Sequence, residues 1–220
     1  SAKLVLQDAI EASELAADPA LEAALIAKFP EPMRKKFRTE ILGHQLRREI
    51  IATILANRIV NRLGLVHPFE LAEEEGVDLA QVASAFVAAD QMLETGALWE
   101  RLDTEPMPEA ARLALFDKSA AAMRSHMGDL LRAGGATAPP SRVVAELAQG
   151  VAELTRGTDD LLAAESRQQS AKLRAEFVRL GAPGDTAGEV AHLFDLDGSF
   201  GLARLARDAE IQSRKLTGAF

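Results

Sequence analysis

The length, composition and charge of this chain exclude several classes of protein. Its 220 residues are 48% hydrophobic and 26% charged, the balance of a folded chain with a sizeable core. Asp and Glu number 33 against 25 Lys and Arg, and the formal net charge of -8 disfavours nucleic acid and anionic membranes as partners. Cysteine is absent, which excludes disulfides, thiolate nucleophiles and Cys-ligated metals, and permits a reducing cytoplasm.

The residue types predict an all-α fold. Ala and Leu dominate the apolar fraction, aromatic residues make up 5%, and no segment alternates apolar and polar residues long enough for a strand. No run approaches the roughly 18 apolar residues that a membrane span needs, and no signal peptide is visible. We therefore expect an irregular multi-helix bundle of about nine to eleven helices.

The first part of the chain predicts two helices and a basic segment. Residues 1–17 have helical spacing of apolar positions. Asp18 and Pro19 are typical of a helix start, and the helix that they open runs to about residue 28. Two prolines in residues 29–32 break it and introduce a short helix rich in Arg and Lys.

The strongest predicted helix covers residues 46–63 and ends at Gly64. At 100° per residue its apolar side chains fall on two faces, and we expect it to lie centrally in the bundle. One face has Leu46, Ile50, Ile54 and Val60, and the other has Ile51, Leu55 and Ile59.

Five polar residues of this helix are the candidate site. Asn57 and Asn61 lie one turn apart near the Leu46 face, and Arg47, Arg58 and Arg62 form a basic column. Amides buried here would bond the free ends of neighbouring helices, and the arginine column could dock an acidic surface of another domain. Both interpretations, a buried network and an interdomain contact, stay open at this point.

The remaining elements follow from proline, glycine and capping residues. Pro68 begins a short helix that ends at Gly76, and Asp78 caps the next, to about residue 94. A brief helical stretch surrounds residues 98–99. A long helix then runs from the prolines at 106 and 108 to Gly134.

The carboxyl-terminal part predicts a separate subdomain. Residues 136–140 are typical of a linker. Residues 141–156 and 158–180 predict two helices that form a hairpin, with Gly157 as the break between them. Two or three shorter helices are expected after the loop at 181–188. The predicted division has three parts: an N-terminal helix at 1–17, expected to be the tail of a preceding domain; a main helical subdomain at 18–135; and a second helical subdomain at 136–220.

The chain is expected to be a piece of a longer polypeptide. It begins Ser1-Ala2-Lys3 without a Met, although processing of a short natural protein is an alternative. Residues 71–86 also align without gaps to residues 205–220, either as a duplicated two-helix unit or as a shared amphipathic pattern. If the unit is real, it ends abruptly at Phe220 and the second subdomain is truncated.

Motifs that carry chemistry are missing. The sequence has no glycine-rich dinucleotide turn, and its four histidines (His44, His67, His126 and His192) lack a partner at metal-ligand spacing. The segment 195–199 resembles the start of a calcium loop, but Ala206 occupies the position of the bidentate acid. We therefore predict no catalytic residue, no metal site and no cofactor bound by this segment.

Residues 71–86 also allow an alternative function. A Leu-Ala-x-x-x-Gly-Val pattern before a capped helix is typical of helix-turn-helix motifs, and would make the chain an independent helical binding module. The second helix has no Arg or Lys and is followed by Asp90 and Glu94, so it could not neutralise phosphates. Structural pairing of the two helices is the favoured interpretation.

Three consecutive motifs resemble the C-terminal region of the large bacterial NAD-specific glutamate dehydrogenases. They are residues 29–37 (FPEPMRKKF), 44–53 (HQLRREIIAT) and 55–64 (LANRIVNRLG). In that family a proline-containing turn leads into a helix of this pattern. The similarity covers most of residues 21–135, and the rest more loosely.

The resemblance implies a parent enzyme that converts L-glutamate, NAD and water to 2-oxoglutarate, ammonium and NADH in the bacterial cytoplasm. The catalytic lysine, aspartate and dinucleotide-binding glycines of that family belong to a preceding domain, so none is assigned to this chain and NAD belongs to the parent enzyme. The implied partners are the catalytic domain of the same polypeptide and further copies of the parent in a homo-oligomer. The expected role is packing on the catalytic core, oligomer support or regulation.

Overall fold

The computed structural model describes residues 1–134 and 138–217, and these ranges contain thirteen α-helices and no strand. Two short 3-10 helices, Glu14–Ala17 and Pro19–Leu21, join the first two α-helices. The all-α prediction is confirmed. The helices are α1 (Ala2–Ala12), α2 (Glu22–Ala27), α3 (Glu31–Lys36), α4 (Arg38–Leu42), α5 (Arg47–Leu63), α6 (His67–Glu75), α7 (Leu79–Met92), α8 (Thr95–Thr104), α9 (Glu109–Arg132), α10 (Pro140–Leu161), α11 (Ala164–Arg179), α12 (Gly184–Asp195) and α13 (Ser199–Thr217).

The three shortest α-helices, α2 to α4, have six residues or fewer. Pro30 precedes α3 in an extended conformation, and Phe37 separates α3 from α4. Proline at the first turn permits a helix but prevents continuation from the preceding one, so this region forms separate turns instead of one long helix. The ten longer α-helices of the described residues agree with the predicted nine to eleven.

Helix α7 lies at the centre of the bundle. Among its residues 82–90, Ser84 is half-buried and the other eight are buried. It packs against α1, α5, α6, α8, α9 and α10. A helix enclosed in this way cannot lie in a groove of DNA, so the helix-turn-helix interpretation of residues 71–86 loses its recognition helix.

The predicted start of α7 is confirmed in detail. The backbone N–H of Gln81 donates to the Asp78 carboxylate at 2.8 Å, and the backbone N–H of Asp78 donates to the Gln81 side chain at 2.9 Å. These reciprocal bonds satisfy two donors that a helix start leaves unpaired. Gly76 takes the left-handed conformation that ends α6, with φ +65°.

Helix α5 has a buried side and an open side. Ile51, Leu55 and Ile59 are at most 1% exposed and face the core. Leu46, on the other face, is 47% exposed, and Ile50 is only half-buried. Helix α5 packs against α1, α2, α6, α7 and α9, although α7 is the more enclosed of the two helices. The second apolar face of α5 is uncovered only around Leu46 and Ile50, because Ile54 on the same face is 8% exposed.

The carboxyl-terminal helices pair differently from the predicted hairpin. Helix α10 continues through Gly157, because a single glycine costs a helix only about 1 kcal/mol and buried neighbours such as Val151 hold it in place. Helix α10 packs mainly on α7 and α13, whereas α11 packs mainly on α12. The predicted break at Gly157 is wrong, and the linker at 136–140 lies partly outside the described residues.

The two aligned segments at 71–86 and 205–220 do not share a conformation. The first has a turn at residues 76–78 between two helices, whereas the corresponding residues 210–212 lie inside the continuous helix α13. Residues 218–220 lie outside the described ranges. Residues 205–217 therefore do not form the two-helix unit seen at 71–86. The domain boundaries at 17 and 135 stay predictions.

Candidate docking surface

The uncovered face of α5 forms one wall of an open groove, and α2 forms the other. Its volume is about 780 Å³. The α5 wall follows one helical stripe, at spacings of three and four residues, so the groove runs along the helix axis. The residues that line it are Leu46, Glu49, Ile50, Thr53, Ile54, Asn57, Arg58 and Asn61 along α5 and its N-cap, and Ala24, Ala27 and Lys28 along α2 and its C-cap. We call it the α2–α5 groove.

The two candidate asparagines lie in this groove and not in a buried network. Asn61 is exposed and Asn57 is half-buried. Neither side chain has a hydrogen-bond partner among the described residues. Their amide groups face a surface that a partner would cover, so the interdomain interpretation of this pair is retained as a proposal.

Arg58 lies at the groove margin and is fixed by a buried acid. Its guanidinium lies 2.5 Å from the carboxylate of Asp90 and 5.8 Å from the centre of the Phe86 ring. The Thr95 hydroxyl donates to the second oxygen of Asp90 at 2.6 Å. Both oxygens of this buried carboxylate are thus bonded, as a charge inside a protein requires.

The other two arginines of the predicted column bind elsewhere. Arg62 forms two hydrogen bonds with Asp103, at 3.0 and 2.6 Å, and its guanidinium lies near the rings of Trp99 and Phe116. The hydrogen bond from Arg62 holds the pKa of the Asp103 carboxyl below its usual value. Arg62 thereby joins α5 to α8 and α9.

Arg47 stabilises the start of α5. It donates to the backbone carbonyls of Leu42 at 3.2 Å and Ala17 at 3.3 Å, which are left free where α4 and a 3-10 helix end. Sequence reasoning missed Arg48, whose guanidinium bonds the carbonyls of Glu11 and Ser13 at the end of α1. The three arginines of the predicted basic column therefore make separate contacts within the chain and do not form one basic surface.

A basic protrusion borders the groove. Every residue from 30 to 40 is exposed, and residues 28–40 contain five basic and two acidic side chains, a net of +3 in a chain of net -8. Met33 and Phe37 add apolar surface one turn apart, 41% and 39% exposed. We call residues 28–40 the basic protrusion.

A second, polar cleft of about 540 Å³ separates α6 from α9. Arg124 lies 2.7 Å from the Glu74 carboxylate, and Arg132 pairs with Glu75. A Cβ added to Gly128 would lie 3.0 Å from Arg132, so the glycine leaves room for this pair. Both arginines of the cleft are neutralised by α6, whereas the α2–α5 groove offers unpaired amides and apolar side chains.

His126 is the one histidine that the structure buries among the described residues, at 1% exposure. Its Nε2–H donates to the carbonyl of Leu193 at 2.7 Å, one of the carbonyls left free at the end of α12. Its Nδ1 has no partner, and the ring meets Phe200 edge-on. Burial lowers the pKa of His126, against the opposing effects of this hydrogen bond, Asp197 and Asp129.

The buried His126 is expected to make the free energy of unfolding depend on pH. Because its folded-state pKa lies below the ordinary 6.5, the unfolded chain takes up the proton more readily, and the free energy of unfolding falls as pH drops below that value. We expect His126→Gln, which keeps a donor for Leu193 but cannot titrate, to weaken this pH dependence. Urea unfolding of both proteins at several pH values between 7.5 and 5.5, a range set by the histidine's ordinary pKa, measures the difference. Identical pH dependences would contradict it.

Metal-binding clusters and membrane-spanning helices are both absent from the described residues. No group of three or more His, Asp and Glu side chains within residues 1–134 and 138–217 is arranged to hold a metal ion. None of the helices in those ranges combines the length and apolar character needed to cross a membrane. The fold and its surface define the class: an all-α domain with an open apolar groove beside a basic protrusion.

Comparison with known proteins identifies the family. A family model described as "Glutamate dehydrogenase, C-terminal" matches residues 2–220, and the chain belongs to this family. The resemblance inferred from residues 29–64 is thus confirmed.

Three NAD-specific glutamate dehydrogenases are among its relatives. The protein of Mycobacterium tuberculosis is 30% identical over 196 residues, which cover 86% of this chain and 12% of that protein. That of Halomonas elongata is 28% identical over 222 residues, covering 100% and 14%. That of Pseudomonas aeruginosa is 28% identical over 200 residues, covering 88% and 12%. The chain therefore spans only about an eighth of the length of these relatives.

Proposed function

We propose that this chain is a non-catalytic C-terminal helical domain of an NAD-dependent glutamate dehydrogenase, and that it packs against the rest of that polypeptide through the α2–α5 groove. The parent reaction would convert L-glutamate, NAD and water to 2-oxoglutarate, ammonium and NADH. The names of the relatives support the parent activity. A homo-oligomeric parent and a cytoplasmic location stay predictions.

The observation that carries the docking role is the uncovered face of α5. A helix that leaves apolar side chains such as Leu46 and Ile50 open to solvent beside polar groups is typical of an interface. The groove lies in residues 24–61, which carry the motifs of the family resemblance. A partner on this face would exclude water from Leu46 and Ile50 and bond the free amides of Asn57 and Asn61.

The pairing of charged side chains with one another supports a non-catalytic role. Arg58 and Asp90 bond each other, as do Arg62 and Asp103, and the arginines of the polar cleft are neutralised by α6. The sequence also lacks the glycine-rich turn that receives a dinucleotide pyrophosphate between a strand and a helix. These residues stabilise the fold and leave no reactive constellation for hydride transfer.

An activity assay tests the proposal. We expect the isolated chain to form no NADH from glutamate and NAD, and the full polypeptide that carries it to do so. Absorbance of NADH measures both, with heat-denatured enzyme as the blank. Glutamate-dependent NADH formation by the isolated chain would overturn the non-catalytic role, and an inactive full polypeptide would overturn the parent activity.

A further inference from the structure

We infer that the α2–α5 groove receives an amphipathic helix with an acidic flank, supplied by the part of the dehydrogenase polypeptide outside these 220 residues. This inference rests on the proposed function and specifies the partner. Its apolar side would cover Leu46 and Ile50, its polar edge would face Asn57 and Asn61, and its acidic flank would meet the basic protrusion.

The groove geometry favours a helix over an extended segment. An extended peptide binds by adding backbone hydrogen bonds to a strand edge, and both walls of this groove are helices whose backbone groups are bonded internally. A helix satisfies its own backbone groups and needs only side-chain contacts. Ala24 and Ala27 on the α2 wall are small, so the backbone of such a helix can approach closely.

The length of the groove sets the length of the occupant. The α5 stripe runs from Leu46 to Asn61, which at 1.5 Å per residue is about 22 Å. A helix of roughly four turns covers this distance and presents apolar residues at the spacing of three and four that the groove presents in return. The relatives provide ample chain for it, because they are about seven times as long as this one.

Charge selects the chemistry of the occupant. Of the basic side chains in the protrusion, Lys35 pairs with Glu31 at 2.7 Å, and Lys36 lies over the ring of Phe37. Arg34, Lys36 and Arg38 have no carboxylate partner among the described residues. A helix that places Asp or Glu beside them is attracted, and a basic helix is repelled.

A second copy of this chain is a poorer occupant. The exposed apolar side chains of α13, Leu202 at 56% and Leu205 at 67%, are its most prominent unpartnered helical surface in the described chain. Residues 199–217 contain four basic and two acidic side chains, a net of +2. Like charges would therefore face each other if α13 of one copy approached the basic protrusion of another.

Photo-crosslinking in the full polypeptide tests the inference. Thr53 is exposed on the groove wall, and Leu113 is 61% exposed on α9. We expect Thr53→p-benzoylphenylalanine, after irradiation and mass spectrometry, to join a helical, acidic segment outside these 220 residues. The matched Leu113→p-benzoylphenylalanine variant should not join that segment. The double substitution Arg34→Glu and Lys36→Glu should lower the Thr53 yield by about fivefold, because it reverses two attractive contacts.

Four crosslinking results would contradict the inference. No crosslink, a crosslink to another copy of these 220 residues, or a crosslink to an acidic segment that charge reversal leaves unchanged would overturn it. A crosslink to a non-acidic segment would do the same. The NADH assay does not depend on the groove. A failed crosslink combined with an active full polypeptide and an inactive isolated chain would therefore overturn this inference and leave the non-catalytic role and the parent activity standing.

Discussion

Replacing Ile51 with Asp is expected to unfold the chain, whereas replacing its neighbour Ile50 with Asp leaves the chain folded. Ile51 is 1% exposed, and a carboxylate at this position would be buried without a partner, at a cost of several kcal/mol out of a total stability of about 5–15 kcal/mol. Ile50 lines the open groove, so an Asp there stays hydrated and should cost about 1 kcal/mol.

Circular dichroism and urea unfolding of the two variants measure this contrast. The two substitutions are matched in residue type, helix and chemistry, and differ only in the face of α5 that they change. If both variants unfolded, the Leu46 face would be as buried as the Ile51 face. If both stayed as stable as the parent chain, Ile51 would not belong to the core.

The second large effect is expected for Phe86→Ala, which removes the largest fully buried side chain of the central helix. Deleting a buried phenylalanine costs about 3–5 kcal/mol, because the apolar transfer energy is lost and a cavity remains. The Phe86 ring also supports Arg58 of α5. In a chain of this size we expect the Tm to fall by roughly 6–20 °C.

Phe37→Ala is the matched control, since Phe37 is 39% exposed on the basic protrusion. Its free energy of unfolding should change by about 0.5 kcal/mol or less. Thermal unfolding followed by circular dichroism compares the two. Equal changes in Tm would contradict the central position of α7.

The elements that could be predicted from sequence are those set by local chemistry. Asp78 and Gln81 are typical of a capping box, and the structure forms it. Apolar spacing and Gly64 predicted the helix at 47–63 almost to the residue. Scarcity of strand-forming residues predicted the all-α class, because helix formation depends on contacts close in sequence.

The arrangement of helices could not be predicted in the same way. Both α5 and α7 are apolar around most of their circumference, and only the packing of α9 and α10 on α7 decides which one is more enclosed. Nor does sequence give the partners of the arginines, since Asp90 is 32 residues from Arg58 and Asp103 is 41 from Arg62. The position of Asp90 directly after the apolar run 85–89 was the one local signal that it is a buried partner.

The break predicted at Gly157 fails for a related reason. A glycine lowers helix propensity by about 1 kcal/mol, an amount that tertiary packing readily exceeds. The α10 face that carries Leu147 and Val151 packs on α7 and α13, and Thr158, directly after the glycine, is also buried, so packing continues past Gly157. The groove residues show the same dependence: the Leu46 stripe was visible in the sequence, but its exposure was not.

The most direct test of the account is the accessibility of the groove with and without the rest of the polypeptide. These 220 residues contain no cysteine, so Thr53→Cys adds one thiol on the groove wall and Leu113→Cys adds one on an exposed face of α9, and mass spectrometry of the peptide that carries each thiol follows its labelling in both contexts. We predict that maleimide labels Thr53→Cys rapidly in the isolated chain and about tenfold more slowly in the full polypeptide, while the Leu113→Cys rates agree. Equal rates for Thr53→Cys in both contexts would contradict a covered groove.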